Sequence, residues 1–329
     1  MNMLRKDPRS SEKAATQVHV SEEEAGQRID NFLIRILKGV PKSHVYRLLR
    51  TGQVRVNSRR TAATYRLQID DRVRVPPVRT AIPAPKSGSS TPAPQQLSAR
   101  VLLEDDALLV IDKPAGLAAH GGSGISAGAI ERMRAERPQL RFLELVHRLD
   151  RDTSGVLLLA KKRSALTRMH AQLRAGTIRK WYLVLVKGNW TWPEQHVRLA
   201  LNRHLTATGE RRVSVARDGM PAHTVFTRVR QAGAYTLLEA ELLTGRTHQI
   251  RVHLAHLGYP IVGDDKYGDF TLNKALHKQG LKRMFLHAQR VEFDHPVSGE
   301  RSQISAALAD DLERFLRQVE TAAHAVSAD

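Results

Sequence analysis

The sequence predicts an α+β protein in two bodies: a small basic helix-pair module, then a larger domain built on a mixed, largely antiparallel sheet. Three observations carry this. From about residue 100 onward, strand patterns recur at Leu108–Asp112, Val156–Ala160, Trp181–Val186, His223–Val229 and Tyr235–Leu242, with helical patterns at Ser164–Leu173, His248–Leu257 and Asp310–Val319 and no repeating period. Residues 77–99 are rich in Pro, Ser and Ala, the composition of a semi-extended linker between two bodies. The 329-residue length exceeds one ordinary small domain, and 41% hydrophobic residues suffice for a sizeable core.

Taken in order, residues 1–17 have the composition of a disordered start. No apolar core follows Met1-Asn2-Met3-Leu4, so a secretory leader is not expected, and no run approaches the length of a transmembrane helix. In the module, residues 18–76, Ile29, Leu33 and Ile36 fall at helical spacing, and Gly39 and Pro41 stop that helix. Ser43–Arg50 reads as a second helix with Ser43 as its N-cap and Gly52 as its end. Val54–Asn57 and Asp71–Val75 alternate as short strands, the latter closed by Pro76-Pro77. The larger domain is expected over residues 100–318, and the Ala-rich residues 319–329 are expected to fray.

Lys plus Arg number 52 against 33 Asp plus Glu, a formal charge of +19. Such an excess attracts polyanions, and nucleic acid is the polyanion whose binding is driven by phosphate neutralisation. A membrane surface is the rival partner, but no basic cluster flanks an apolar span. The chain has no cysteine, which excludes disulfides, thiolate metal sites and a thiol nucleophile.

Three constellations could carry chemistry. In Leu145-Val146-His147-Arg148-Leu149-Asp150-Arg151-Asp152-Thr153-Ser154-Gly155, five charged residues crowd between two apolar runs. Charges are rarely buried without partners, so this is either a cleft that uses charge or a solvated turn; spacing leaves both open. In Leu243-Thr244-Gly245-Arg246-Thr247-His248-Gln249-Ile250-Arg251-Val252-His253, a strand ends at a glycine turn and a helix begins with Thr247 as cap, so that Arg246 projects at the mouth. His253 and His256 are three apart, on one helix face. A metal site is disfavoured because zinc needs convergent ligands and no His-Glu-x-x-His is present. In Arg179-Lys180-Trp181-Tyr182, the tyrosine is either a platform for an unstacked base or an ordinary strand residue. Gly121-Gly122-Ser123-Gly124 lacks the spacing of a dinucleotide or phosphate loop, and no cofactor motif appears.

Together these segments resemble the RNA pseudouridine synthases, in the branch that modifies large-subunit rRNA and some tRNAs. The resemblance rests on His147–Gly155, on Gly245–His253, on Gly263-Asp264-Asp265-Lys266-Tyr267-Gly268, on Lys180-x-Tyr182, and on Asp112-Lys113-Pro114-Ala115-Gly116 with His120-Gly121-Gly122. It covers about residues 20–318 in family order. The first module, with Gly52-Gln53-Val54-Arg55-Val56-Asn57, resembles the S4 RNA-binding module, and implies RNA contacts by Arg28, Lys42, Arg47, Arg50 and Arg55.

The family implies that Asp150 is the essential aspartate, that Arg246 pairs with it and that Tyr182 packs against a flipped uracil. It implies support from His147 and Arg148, RNA contacts by Lys180, His248 and Arg251, and a structural role for Asp152. A carboxylate in a dry site drifts towards neutrality unless a cation faces it, which is the physical sense of an Asp150–Arg246 pair. Breaking N1–C1′ of uridine and making C5–C1′ requires neither redox change nor group donor, so no cofactor and no metal are implied. Whether the carboxylate adds to the nucleoside or takes the C2′ proton is open. The implied partner is 23S ribosomal RNA, before or during large-subunit assembly, met by a cytoplasmic monomer. One departure is Val184, where the family usually has Ala, which bears on strand packing. The rivals are a metal-assisted nuclease or glycosidase using Asp150, Asp152 and the histidines, and a non-catalytic assembly factor.

Overall fold

The computed structural model describes residues 15–21, 24–37, 39–78, 96–121, 127–206 and 210–326. The chain divides into two units, Met1–Pro94 and Gln95–Asp329.

The first unit runs β1 (Thr16–His19), α1 (Ile29–Ile36), α2 (Lys42–Arg50), β2 (Arg55–Val56) and β3 (Arg72–Val75). Its three-stranded antiparallel sheet has the order β1-β3-β2. β1 begins inside the stretch expected to be disordered: Thr16 and Val18 pair with Val75 and Val73, a pattern too short to stand out among polar neighbours. The rest of that stretch, residues 1–14, lies outside the described residues. In α1, Ile29 and Leu33 are buried as expected, but Ile36 is exposed and Phe32 completes the core. The helix ends at Ile36, and Leu37 folds back against the core instead. α2 starts one residue early, with Pro41 rather than Ser43 at its N-cap, where a fixed φ suits helix entry.

Most of the expected linker, residues 79–95, lies outside the described residues. Its end belongs to the second unit, because Leu97–Arg100 forms a 3-10 turn and Leu97 is fully buried. The Leu97 and Ser98 N–H groups donate to the Glu136 carboxylate at 2.9 and 2.7 Å.

The second unit continues β4 (Val101–Glu104), β5 (Leu108–Lys113), α3 (Ala129–Glu136), β6 (Glu144–Leu145), β7 (Ser154–Ala160), α4 (Arg163–Ala175), β8 (Arg179–Lys187), β9 (Glu194–Arg198), β10 (Leu201–Leu205), β11 (Arg211–Val215), β12 (His223–Ala232) and β13 (Tyr235–Leu242). It closes with α5 (Gln249–His256), α6 (Phe270–Lys278), β14 (Leu286–Asp294), β15 (Arg301–Ser305) and α7 (Asp310–Val326). A ten-stranded sheet has the order β4-β5-β7-β14-β8-β13-β12-β9, with β15 beside β14 and β6 beside β7; β10 and β11 form a separate ribbon. Only the β7–β14 pairing is parallel among the described strand pairs, so the sheet is mixed and largely antiparallel, in an α+β fold.

β7 is buried along its whole length because both faces are covered. Leu157 and Leu159 enter one core with Tyr182, Ile250 and Leu254, while Val156, Leu158 and Ala160 enter another with Ala165 and Met169 of α4. A strand clothed on both sides reads as a continuous apolar run, which is how the sequence announces it. Val184 is fully buried, with Leu238 and Leu286 as its register partners, so the sheet accommodates the larger residue. α7 runs to Val326, through the tail expected to fray. Leu312, Phe315 and Leu316 bury its face, and the alanines that looked unpatterned are strong helix formers.

Candidate active site

The loop carrying Asp150 leaves β6 and returns as β7, and it is tied down throughout. Leu158 N–H donates to His147 Nε2 at 3.2 Å, and Thr153 N–H to the Asp150 carbonyl at 3.3 Å. His147 is therefore an acceptor at Nε2, and burial, reinforced by Lys180, pushes its pKa down to about 3. Gly155 has φ +108, and a Cβ there would lie 2.1 Å from the Ala288 carbonyl oxygen, so only glycine lets β7 meet β14. From beneath, the fully buried Lys113 Nζ donates to the carbonyls of Pro114 and Leu117, both at 2.8 Å, and to that of Arg151 at 3.1 Å. Burial pushes its pKa down to about 7, against the pull of Asp152 and Asp150.

Asp150, Lys180, Tyr182, Arg246, His248 and Arg251 line one cleft of about 380 Å³. Asp150 Oδ2 accepts from Arg251 Nη1 at 3.3 Å, and His248 Nε2 lies 3.8 Å from the same oxygen. The expected Arg246–Asp150 pair is not formed. Arg246 lines the cleft but donates from Nε to the Pro221 carbonyl at 3.1 Å, and Arg251 takes the place assigned to it.

The cause is local. Gln249 Oε1 accepts from Arg246 N–H at 3.0 Å and from Thr244 Oγ1 at 2.7 Å, which ties the turn back. The helix consequently begins at Gln249 with His248, not Thr247, at the N-cap. Arg251, in the first turn, then faces Asp150.

Arg251 was expected to contact RNA, but it is 5% exposed. It is gripped by Asp264, Nε to Oδ2 and Nη2 to Oδ1, both at 2.7 Å. Burial opposes its charge, and is outweighed first by Asp264 and then by Asp150, so its pKa is raised. Asp264 is fully buried; desolvation alone would raise its pKa, but Arg251 and the N–H groups of Lys266 and Tyr267 hold it lowered. Neither partner was derived from spacing, although the turn containing Asp264 stood out as a motif. His248 is likewise turned inward, its Nδ1 2.8 Å from Tyr267 Oη.

Tyr182 stands on β8 with 6% exposure, and burial, then Asp150, raises its pKa. Lys180 is half-buried, its pKa lowered by burial. Arg148 is exposed and borders a second depression lined by Arg203, His204, Leu205, Arg211 and Arg212 of the β10–β11 ribbon. Those arginines were not singled out in the sequence; the adjacent basic pairs Arg203-His204 and Arg211-Arg212 were the available signal. Asp152 pairs with its neighbour Arg151 at 3.2 Å.

His253 is buried, bonded to Thr224 Oγ1 and the Leu199 carbonyl, both at 3.0 Å, whereas His256 is exposed; the two do not converge. The glycines at 122 and 124 lie outside the described residues. On the first unit, Lys42, Arg47, Arg50 and Arg55 are exposed, and Arg28 is half-buried and paired with Asp30 at 2.6 Å. No helix among the described residues is long and apolar enough to cross a membrane.

A family model described as RNA pseudouridylate synthase matches residues 107–256, a span that begins at the edge of β5, closes with α5 and holds both Asp150 and Arg251. The chain belongs to the RNA pseudouridine synthases. It is 49% identical over 314 residues to the Ribosomal large subunit pseudouridine synthase C of Pasteurella multocida, covering 95% of this chain and 96% of that one. To the protein of the same name from Escherichia coli (strain K12) it is 49% identical over 310 residues, 93% of this chain and 97% of the other. Among solved structures, Human RNA Pseudouridylate Synthase Domain Containing 4 shares the fold, with a TM-score of 0.55 at 23% identity over 68% of this chain and 94% of that one.

Proposed function

We propose that the chain isomerises uridines of large-subunit ribosomal RNA to pseudouridine, with Asp150 as the catalytic carboxylate. The observation that carries this is the juxtaposition in one cleft of Asp150 Oδ2, the buried Arg251 guanidinium 3.3 Å away, and the Tyr182 ring. The relatives named for large-subunit rRNA supply the substrate. Asp150 meets the ribose, either adding to the nucleoside or removing the C2′ proton, while N1–C1′ breaks and C5–C1′ forms. Arg251 orients the carboxylate, the role first given to Arg246. The target base leaves its stack at a cost of a few kcal/mol, and packing on Tyr182 returns part of it. Burial, then Asp150, raises the pKa of the tyrosine, so its phenol stays protonated beyond the pH at which a free tyrosine ionises.

His147 and Lys113 hold the loop still, the preorganisation a catalytic carboxylate needs. The basic ribbon and Arg148 would track the phosphates beside the target, as would Lys42, Arg47, Arg50 and Arg55 on the first unit, which we take to be an S4-like RNA-binding module. Free or assembling 23S rRNA, rather than a finished subunit, offers uridines that can unstack, and a single chain carries every group named.

The test is carbodiimide mapping of pseudouridine on large-subunit rRNA transcripts incubated with the purified chain. Wild type should convert particular uridines, and Asp150→Ala should convert none while still binding RNA. Turnover by Asp150→Ala, or strand breakage or free uracil instead of isomerisation, would refute the assignment.

A further inference from the structure

His248 has a left-handed backbone, φ 55 and ψ 20, one residue before α5 begins. A non-glycine residue held there costs on the order of 1 kcal/mol or more, and such strain gathers at working sites. The imidazole is almost enclosed, its side chain 16% exposed. Its Nδ1 lies 2.8 Å from Tyr267 Oη, and its Nε2 lies 3.8 Å from Asp150 Oδ2.

A third contact gives these distances a direction. Val213 N–H, on β11, donates to Tyr267 Oη at 3.0 Å. That donation occupies one oxygen lone pair, and among the described residues His248 Nδ1 is the acceptor within reach of the hydroxyl hydrogen, which favours Tyr267 as the donor. An imidazole that accepts at Nδ1 carries its own hydrogen on Nε2, and that N–H faces Asp150. Burial disfavours a charged ring, and Arg251 and Lys266 oppose the charge further while Asp150 and Asp264 favour it; the net displacement is downward, so the ring is neutral at neutral pH.

We infer that His248 is a positioning residue for Asp150: a neutral imidazole, its tautomer fixed by Tyr267, whose Nε2–H steadies Oδ2 alongside Arg251. This rests on the reading of Asp150 as the catalytic carboxylate. It differs from the RNA contact that the sequence suggested for His248, because the ring's two nitrogens are turned to Tyr267 and Asp150. A separation of 3.8 Å is too long for a hydrogen bond, but such contacts are commonly long in a free enzyme and tighten when substrate fills the site. The division of labour is chemical. Arg251 supplies a permanent charge, and His248 supplies a donor without adding a second one.

Two readouts keep this separate from the function itself. In protein labelled with ¹⁵N-histidine, the His248 resonances, assigned by their loss in His248→Gly, should report the neutral Nε2–H form at neutral and mildly alkaline pH. Tyr267→Phe should release the ring into a tautomer mixture. An Nδ1–H ring in the wild-type protein overturns the inference whatever the activity.

In single-turnover assays, His248→Gly keeps the left-handed turn and removes only the imidazole. It should slow pseudouridine formation at saturating rRNA by about 100-fold, the effect of misplacing a catalytic group by an ångström, with RNA affinity unchanged. His248→Asn, which tolerates the same backbone and retains an N–H donor, should recover part of the rate. Adding Tyr267→Phe to His248→Gly should cost nothing more. A His248→Gly enzyme at full rate, or one impaired only in RNA affinity, overturns the proposal. Absence of pseudouridine with wild type would instead count against the function, and the tautomer would still decide the role of the ring.

Discussion

At the scale of single residues, the site is organised by a buried cation that pairs with Asp264 and Asp150 and lies 3.5 Å from the exposed Asp265 carboxylate. Arg251 is bidentate to Asp264 and singly bonded to Asp150, so its two substitutions should differ in kind. Arg251→Ala strands Asp264 in the interior and should destabilise the fold by about 3–5 kcal/mol. Arg251→Lys keeps the charge but loses the planar fork, and should fold yet turn over slowly. Arg246→Ala, which breaks only a contact to a backbone carbonyl, should leave the melting temperature within a degree or so and weaken RNA binding; loss of folding would contradict this geometry. For Tyr182, replacement by Phe preserves the ring and should be milder than replacement by Ala. Equal losses in single-turnover rate would point to the hydroxyl instead of stacking.

That Asp150 and Tyr182 belong together was legible through the family resemblance and not from spacing; Asp150 lies in the loop between β6 and β7 and Tyr182 within β8, and both line one cleft. The partner of Asp150 was not legible. Arg246 and Arg251 are five positions apart, and which one faces inward depends on where the helix begins. Each residue of delay turns a helix by about 100°. A hydrogen-bonded glutamine decided that start, and no local pattern announces it.

At the scale of elements, the β10–β11 ribbon is the part of the second unit best shaped to hold phosphates. Arg203, Arg211 and Arg212 line its depression. Replacing Arg211 and Arg212 by Ala should lower RNA affinity across sequences and reduce the slope of log affinity against log salt by about 0.7–0.9 per arginine that contacts a phosphate. Binding titrations at several salt concentrations test this, and an unchanged slope would remove the ribbon from the RNA path.

The legible strands were those with uninterrupted patterns: β5, β7, β8 and β13 appeared within a few residues of their positions. β14 did not, although it is central to the sheet. Leu286, His287 and Ala288 are buried in succession, and the register then shifts between Ala288 and Arg290, so no single two-residue period runs through the strand. A bulge of this kind erases the two-residue period that betrays a strand.

At the scale of the whole molecule, buried neutral histidines couple stability to pH. His147, at about 3 in the folded chain, returns to the ordinary histidine value of 6.5 on unfolding. Between those values the unfolded chain takes up a proton that the folded chain refuses. Stability from this residue is therefore complete above about pH 6.5 and declines as pH falls towards 3, by up to about 1.4 kcal/mol per pH unit. His170, His253 and His287, all shifted downward by burial, act in the same direction. Denaturant midpoints should fall between pH 7 and 5, and His147→Gln should flatten the decline; a flat wild-type profile would contradict it.

The order of the sheet also sets a timetable. β14 lies between β7, which anchors the Asp150 loop, and β8, which carries Tyr182. The two halves of the cleft become neighbours only when a strand near the end of the chain slides between them. At roughly 5–20 residues per second, a ribosome needs some 5–20 s to extend the chain from β8 to β14. Throughout that interval, the nascent protein can expose its basic surfaces without owning a finished catalytic centre.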